Sequence, residues 1–444
     1  MRASHLFFVA AVVLAATSAD ARADAPWSQP TLTSGAMELA PVAPPTLFGL
    51  TNSVPEAGPR RIVGAMVRSG VPGPTVASDS PRDLNLFRVL DDGRIVAGVV
   101  LGRRAGPPQA GLVRGRLGRP LGSPRSLRGR SKASFLLDVV TNDAGDAVAA
   151  VRRCQTRGCG RQTLELIRWR AGAARLGKAR RIARGGKLGA GVGLNARGDV
   201  AVVWDRLPSG GGARRAIYGQ VLSAGGRLGP RRLLAHPSSA PSYRVAITNT
   251  RRVVAAWLAQ PVSECVAHPG EIEVAQAAPG RRFTPAQRLA RLRITGCGRY
   301  AQAPGVAFAR GADGRVVIAW SGNEGGRWVV RAGELGPSGV VGAAVVSDRA
   351  TDAVLSDLEV GPHGEAIILL ADGVGGSDPT GPRRLLAVTR APGAGAFGAP
   401  EVVTSEIDLG GTLAFDAATG SPVAAYLTHG PDFLPTTAVV SRAG

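Results

Sequence analysis

The chain lacks the signatures of the common catalytic sites. It has no G-x-S-x-G nucleophile elbow, no H-E-x-x-H zinc motif, no phosphate-binding P-loop and no EF-hand loop. Histidine is scarce, with five residues in 444, and the histidines are scattered without the spacing of metal ligands. The enzyme classes that depend on these motifs are therefore excluded, and the sequence predicts neither a metal site nor a cofactor.

Long apolar runs are absent after the N-terminus. The first residues combine a positive charge at Arg2, an apolar core from Leu6 to Ala16 and alternating alanines that fit a cleavage site. This pattern predicts a signal peptide over residues 1–23. No later stretch reaches the roughly 18 apolar residues that a transmembrane helix needs. We therefore expect a secreted, soluble, monomeric protein without a transmembrane segment.

Cysteine is also rare, with four residues in the chain. In an exported protein this number suggests two disulfides rather than free thiols. Cys154 and Cys159 bracket a short loop and are favoured to pair by the ease of local loop closure, which leaves Cys265 and Cys297 by elimination. All three pairings of four cysteines are open at this stage. A zinc site is disfavoured because no histidine lies at ligand spacing.

Acidic residues are few relative to basic residues. The chain has 54 Lys and Arg against 32 Asp and Glu, a net charge of +22, and residues 101–187 are especially basic. An exported basic surface attracts an anionic cell-wall polymer, a glycan, a lipid headgroup or an acidic surface protein. Nucleic acid is not expected as a partner because the protein is exported. The alternative is a solvated, arginine-rich surface that reflects composition alone.

Helical periodicity is hard to find, whereas glycine (61 residues) and proline (32 residues) are abundant. In its place the sequence repeats one unit, consisting of a turn residue, an apolar run and a bulky residue six positions after the turn. Successive turn residues lie 50 to 63 residues apart. The seven turn residues are Gly93, Gly145, Gly198, Arg251, Gly314, Gly364 and Gly420.

Each repeat contains four short apolar segments, which is typical of a β-propeller blade. In the third copy of the second-strand run, for example, Val200, Val202 and Trp204 alternate with Ala201 and Val203, so both faces of the strand are apolar. A strand with two apolar faces is buried on both sides, as in a blade packed between two neighbours. Trp204, Trp257 and Trp320 are accordingly predicted to pack between blades.

The repeats predict an all-β fold, a β-propeller of about seven four-stranded blades over residues 61–444. A partly irregular N-terminal segment occupies residues 24–60. We expect N- and C-terminal segments to close the ring together, with Arg61–Ser78 completing the last blade and covering its open edge. The alternative has eight blades, with Thr46–Val54 forming a degenerate first hairpin.

The repeated G-[DR]-x-[AV]-x-x-W unit resembles secreted β-propeller-like repeat proteins of actinobacteria. It is also distantly similar to the Asp-box of sialidase-type propellers, whose first half matches Thr141–Gly145. The resemblance implies the propeller fold. It implies no activity, because the Asp-box is itself a structural element in that family and the catalytic residues of sialidases have no counterparts here.

Charged residues interrupt the first strands of several repeats, which line the central channel of a propeller. They are Arg88, Asp138, Arg244, Asp357 and Glu359. An isolated buried charge is costly, so these side chains either pair with one another or face a ligand. Asp357 and Glu359 additionally form a candidate acid/base pair. Asp205 and Asp372, which follow second strands, are interpreted as turn-capping residues rather than site residues.

Two functions fit the sequence. The first is an exported, non-enzymatic interaction propeller that recognises a cell-surface or extracellular ligand, such as a glycan, an anionic polymer or a protein. The second is a glycoside hydrolase or polysaccharide lyase acting at the channel mouth. Convergence of the five inner-strand charges in one open pocket favours the enzyme, whereas pairing or separation of these charges favours the binding protein.

Overall fold

The computed structural model of the chain is built from β-strands, as the repeats predict. Side chains are described from Arg94 onward for most of the residues whose backbone is described. The structure describes residues 31–34, 38–39, 46–51, 61–68, 71–72, 76–79, 83–89, 94–101, 107–116, 118–127, 129, 131–142, 144–156, 159–207, 215–237, 241–259, 268–294, 305–311, 314–324, 326–336, 339–347, 352–373, 383–407, 409–415, 419–429 and 435–442.

The strands form eight antiparallel sheets, seven of them four-stranded, and we call the sheets blades 1 to 8. Blade 1 contains β2 (Glu38–Leu39), β3 (Thr46–Thr51), β4 (Arg61–Arg68), β5 (Val71–Pro72) and β6 (Val76–Asp79). Blade 2 contains β7 (Asp83–Val89), β8 (Arg94–Val100), β9 (Ala110–Arg116) and β10 (Arg125–Ser126). Blade 3 contains β11 (Ala133–Thr141), β12 (Ala147–Cys154), β13 (Gln162–Trp169) and β14 (Arg180–Gly185).

The remaining blades repeat the same order. Blade 4 contains β15 (Leu188–Leu194), β16 (Val200–Arg206), β17 (Ala216–Leu222) and β18 (Arg232–Ala235). Blade 5 contains β19 (Pro241–Ile247), β20 (Val253–Ala259), β21 (His268–Ala277) and β22 (Gln287–Ile294). Blade 6 contains β23 (Val306–Arg310), β24 (Val316–Glu324), β25 (Arg327–Gly336) and β26 (Gly339–Val345). Blade 7 contains β27 (Ala353–Val360), β28 (Ala366–Asp372), β29 (Arg384–Arg390) and β30 (Glu401–Thr404). Blade 8 contains β31 (Leu409–Phe415), β32 (Pro422–His429), β33 (Pro435–Ser441) and the N-terminal strand β1 (Thr31–Ser34).

The predicted closure by both ends of the chain is confirmed, since β1 pairs with β33 and completes the last sheet. The expectation that Arg61–Ser78 fills this place is wrong. That segment pairs with β3 instead and forms blade 1. The physical reason is proximity along the chain, because β3 ends ten residues before β4 begins and a short loop costs little entropy to close. The seven repeats thus give the seven four-stranded sheets, and the eight-blade alternative accounts for blade 1.

The first strands of blades 2 to 8 contact one another in chain order, which places them at the centre of the ring. The core lies between consecutive blades. Trp204 and Trp257 are 1% and 0% exposed, and each packs against side chains of the blade before its own. Trp320 does the same between blades 5 and 6. The prediction that these residues form interblade core is confirmed.

The turn between the first and second strands requires a left-handed backbone. Gly145 and Gly198 have φ of 84° and 82°, a conformation that glycine adopts without strain. Arg251 occupies the same place in blade 5 with a φ of 65°. Its Nε atom donates a hydrogen bond of 2.9 Å to Asp199 of blade 4, which compensates for the unfavourable conformation.

The predicted disulfide between Cys154 and Cys159 is confirmed, and it closes the loop after β12. Cys265 and Cys297 lie outside the described residues. Across the described ranges, no helix has the length and apolar character that crossing a membrane requires.

Candidate functional site

The two predicted inner-strand aspartates connect one blade to the next. Asp138 and Asp357 each follow a β-bulge, and Oδ1 of each accepts a hydrogen bond from the next residue's amide, at 2.8 and 2.9 Å. Oδ2 accepts an amide of the following blade, from Val192 at 2.9 Å and from Leu413 at 2.8 Å. The inward edge of a first strand has no neighbouring strand, so its amides need such acceptors.

Asp357 also accepts a hydrogen bond of 2.8 Å from the Thr412 hydroxyl. Burial raises the pKa of Asp357 despite these bonds, and the positive charge of Arg244 acts in the opposite direction. The pKa of Glu359 is raised well above its usual range, first by burial and then by the neighbouring Asp357. Each of the two residues as a whole is partly buried.

Of the five candidates, Asp357 lies within electrostatic range of both Arg244 and Glu359. Arg244 is exposed. Asp138 faces blade 4, and neither of its two described amide partners belongs to that group. The backbone of Arg88 lies in β7, and its side chain is outside the described residues.

Asp205 and Asp372 stand at the ends of second strands, where each pairs with an arginine at the start of the third strand, Arg215 and Arg384 respectively. Asp205 is 1% exposed and also accepts a hydrogen bond of 2.9 Å from the Tyr243 hydroxyl of blade 5. Burial raises the pKa of Tyr243, so its hydroxyl stays protonated and donates. These contacts hold the base of each hairpin, in line with the structural interpretation of the two aspartates.

The repeated turn carries a side-chain ladder that sequence reasoning missed. Asn142 donates from Nδ2 to the Asn195 carbonyl at 3.1 Å, and Asn195 donates from Nδ2 to the Thr248 carbonyl at 2.9 Å. Within each turn the asparagine Oδ1 accepts the amide of the aspartate four residues later, at 2.9 and 2.8 Å. The shared pattern N-x-x-G-D, in NDAGD and NARGD, was the signal for this ladder.

Several arginines likewise connect neighbouring blades through hydrogen bonds to backbone carbonyls. Arg114 of blade 2 donates to the Trp169 and Arg170 carbonyls of blade 3, at 2.6 and 2.7 Å, and its guanidinium lies 4.1 Å from the Trp169 ring centre. Arg168 of blade 3 makes the equivalent bonds to blade 4, with 2.7 Å to the Ser223 carbonyl. Burial lowers the pKa of both guanidinium groups, which nevertheless stay charged.

A basic cleft of about 400 Å³ opens between blades 3 and 4. It is lined by Arg168 and by the turns that join the third and fourth strands of the two blades. No carboxylate is among the residues that line it. We define the basic cleft by its five cationic residues, Arg168, Arg170, Arg175, Lys178 and Arg180.

The cleft residues differ in how firmly they are held. Arg168 is fixed by its three carbonyl partners. Arg180 spans the cleft and donates to the Gly226 carbonyl of blade 4 at 3.0 Å. Arg170, Arg175 and Lys178 are exposed, and their side chains make no ion pair within the described part of the chain. The five cationic residues of the cleft all belong to the basic stretch 101–187 that the sequence singled out. The cleft residues that blade 4 contributes lie outside that stretch.

The structure thus defines an all-β propeller with a basic cleft at one end and with Arg244, Asp357 and Glu359 on its first strands. No protein family and no curated protein sequence matches the chain. Among solved structures, an α-L-arabinanase from Penicillium chrysogenum has 11% identity and a TM-score of 0.41, covering 93% of this chain and 99% of its own.

Two further solved structures show similarly low sequence identity and TM-scores. An ulvan lyase has 11% identity and a TM-score of 0.47 over 82% of this chain and 98% of its own. A puromycin hydrolase has 16% identity and a TM-score of 0.42, over 79% of this chain and 50% of its own. Similarity at this level says nothing about activity, and the sheet topology alone defines the fold.

Proposed function

We propose that the protein is an exported, non-enzymatic binding propeller whose basic cleft recognises an anionic group of an extracellular ligand, a glycan, a cell-wall polymer or an acidic surface protein. The observation that carries the proposal is the cleft itself, in which five cationic side chains converge without a carboxylate. Guanidinium groups match the geometry of sulfate, phosphate and carboxylate oxygens, so such a cleft suits an oxyanion.

The inner-strand charges support binding over catalysis. A general acid or base needs a carboxyl group that is available to the substrate, and both oxygens of Asp138 and of Asp357 accept hydrogen bonds from the protein backbone. These bonds give the two aspartates a structural role.

Glycoside hydrolase or polysaccharide lyase activity at the channel mouth is the second candidate, and one observation favours it. The raised pKa of Glu359 beside Asp357 is a property that general acids share. If this candidate is correct, Glu359→Gln abolishes turnover of a polysaccharide that the protein binds. If the binding proposal is correct, no such turnover exists to be abolished.

The test of the binding proposal is affinity for a sulfated oligosaccharide and for inorganic polyphosphate, measured by calorimetry at about 0.15 M ionic strength, where surface charges are screened beyond about 8 Å. In the cleft variant, Arg175→Gln is combined with Lys178→Gln. We expect it to bind about fivefold to thirtyfold more weakly, equivalent to roughly 1–2 kcal/mol for two exposed charge contacts.

The matched control combines Arg161→Gln with Lys187→Gln. It removes the same two charges from exposed positions at the opposite end of blade 3. Equal losses of affinity in the two variants would mean that net charge, and not the cleft, attracts the ligand. Absence of binding to either probe would refute the proposal.

A further inference from the structure

The antiparallel order of each blade determines which turns share an end of the ring. The turns after the first and the third strands lie at one end, which we call the turn end, and the remaining connections lie at the other. The basic cleft is at the turn end, because its walls are turns between third and fourth strands of blades 3 and 4.

Cationic side chains continue along the turn end on both sides of the cleft. Each of blades 2 to 5 has an exposed arginine in its third turn, and these four are Arg119, Arg175, Arg227 and Arg281. The four blades are consecutive neighbours, since their first strands contact one another in order. The turn end of blades 2 to 5 therefore presents a continuous arc of positive charge, with the cleft at its middle.

The two acidic side chains described in this arc, Asp146 and Asp199, are hydrogen-bonded within the turns. Asp146 accepts the Ala171 amide at 2.7 Å through Oδ1. Asp199 is 0% exposed and accepts hydrogen bonds from the amide of Ala224 and from Nε of Arg251. Burial alone raises the pKa of Asp199, but the hydrogen bonds from Ala224, Arg251 and Asn195 outweigh it and lower the pKa overall. Both aspartates serve the turns, and within the described part of the chain neither forms an ion pair with Arg119, Arg175, Arg227 or Arg281.

The arc does not extend to blade 7. The same turn of blade 7 spans residues 391–400 with the sequence APGAGAFGAP, which is exposed and has no charged residue. A compositional preference for arginine acts on all repeats alike and does not account for charged turns in blades 2 to 5 and an uncharged turn in blade 7. The asymmetry instead indicates a partner that contacts blades 2 to 5.

We infer that the ligand is a linear polyanion, such as an acidic polysaccharide or a phosphate-linked polymer, which lies along the turn end of blades 2 to 5 and places one anionic group in the basic cleft. This inference rests on the proposed function and adds the length and the path of the ligand. A single small anion reaches the cleft alone, whereas a polymer also reaches Arg119 on one side and Arg281 on the other.

The experiment measures affinity against ligand length for the full secreted chain, with sulfated glycan oligomers from disaccharide to dodecasaccharide and polyphosphates of matching length. We expect the dodecasaccharide to bind about tenfold more tightly than the tetrasaccharide, with a steeper dependence on salt because more counterions are released. The arc variant combines Arg119→Gln with Arg281→Gln and leaves the cleft intact. It should remove most of this gain and leave tetrasaccharide binding unchanged.

Each outcome has one meaning. If short oligomers bind at the cleft and longer ones bind no more tightly, or if the gain with length survives in the arc variant, the inference is wrong and the proposed function stands. If the Arg161→Gln and Lys187→Gln control loses the gain as well, the arc has no special role and the inference is overturned. If no oligomer of either chemistry binds, the proposed function fails, and the inference fails with it. Preference for the glycan or the polyphosphate series identifies the source of the anionic groups.

Discussion

The ladder of asparagines between blades gives the sharpest prediction for stability. Asn195 is 1% exposed, and its side chain makes three hydrogen bonds: it donates to the Thr248 carbonyl and to Asp199, and it accepts the Asp199 amide. Asn195→Ala removes all three and leaves buried partners unsatisfied. A net loss of about 1 kcal/mol for each hydrogen bond gives a destabilisation of roughly 3 kcal/mol.

Asn249 provides the matched control in the neighbouring turn. Its side chain is exposed and accepts the Ala196 amide at 3.0 Å. Asn249→Ala makes the same chemical change at the surface, so we expect a loss of at most about 0.5 kcal/mol. The measurement is urea unfolding followed by tryptophan fluorescence and by circular dichroism, whose agreement tests two-state behaviour. If the two variants are equally stable, the ladder does not hold the blades together and the reasoning fails.

Two further predictions concern the core and the channel. Trp257→Ala should lower the free energy of unfolding by about 3–5 kcal/mol, the range for large core truncations. The reason is that the ring is 0% exposed between blades 4 and 5 and its Nε1 donates a hydrogen bond to Glu273. An unchanged melting temperature would contradict the interblade assignment. Glu359 has a raised pKa, so the folded state binds more protons than the unfolded state above about pH 4, and its contribution to stability falls as pH rises toward the folded-state pKa. Glu359→Gln should match the wild-type melting temperature near pH 4 and exceed it near pH 8. The control Glu406→Gln, at an exposed position, should leave the melting temperature unchanged at both pH values. Equal behaviour of the two variants would show that Glu359 is not held in a desolvated site.

The repeat predicted the blades because it acts through local physics. A glycine that tolerates positive φ, followed by a strand with two apolar faces, specifies a hairpin buried on both sides wherever it occurs, and Gly145 and Gly198 illustrate this. Blade 1 lacks this motif, and its strands were therefore only an alternative at the level of sequence. The local disulfide between Cys154 and Cys159 followed from loop length in the same way.

The site was less predictable because its properties depend on what lies across a blade boundary. Asp138 and Asp357 both precede their turn glycine by seven residues, a regularity that in hindsight marks them as structural. Their partners Val192 and Leu413 belong to the next blade, about 55 residues further along the chain. No local pattern reveals which amide a carboxylate will reach at that separation.

The sequence by itself determined that the chain folds as a ring of similar β-sheets and that its surface carries excess positive charge. Both properties are sums over local features, namely the period of apolar residues and the count of arginines. Only the tertiary structure decided which arginines are bound to carbonyls of the next blade, as Arg114 and Arg168 are, and which remain exposed beside the cleft, as Arg175 and Lys178 do. The distinction arises because burial and hydrogen bonding of a side chain depend on the neighbouring blade, whose position follows from closure of the whole ring.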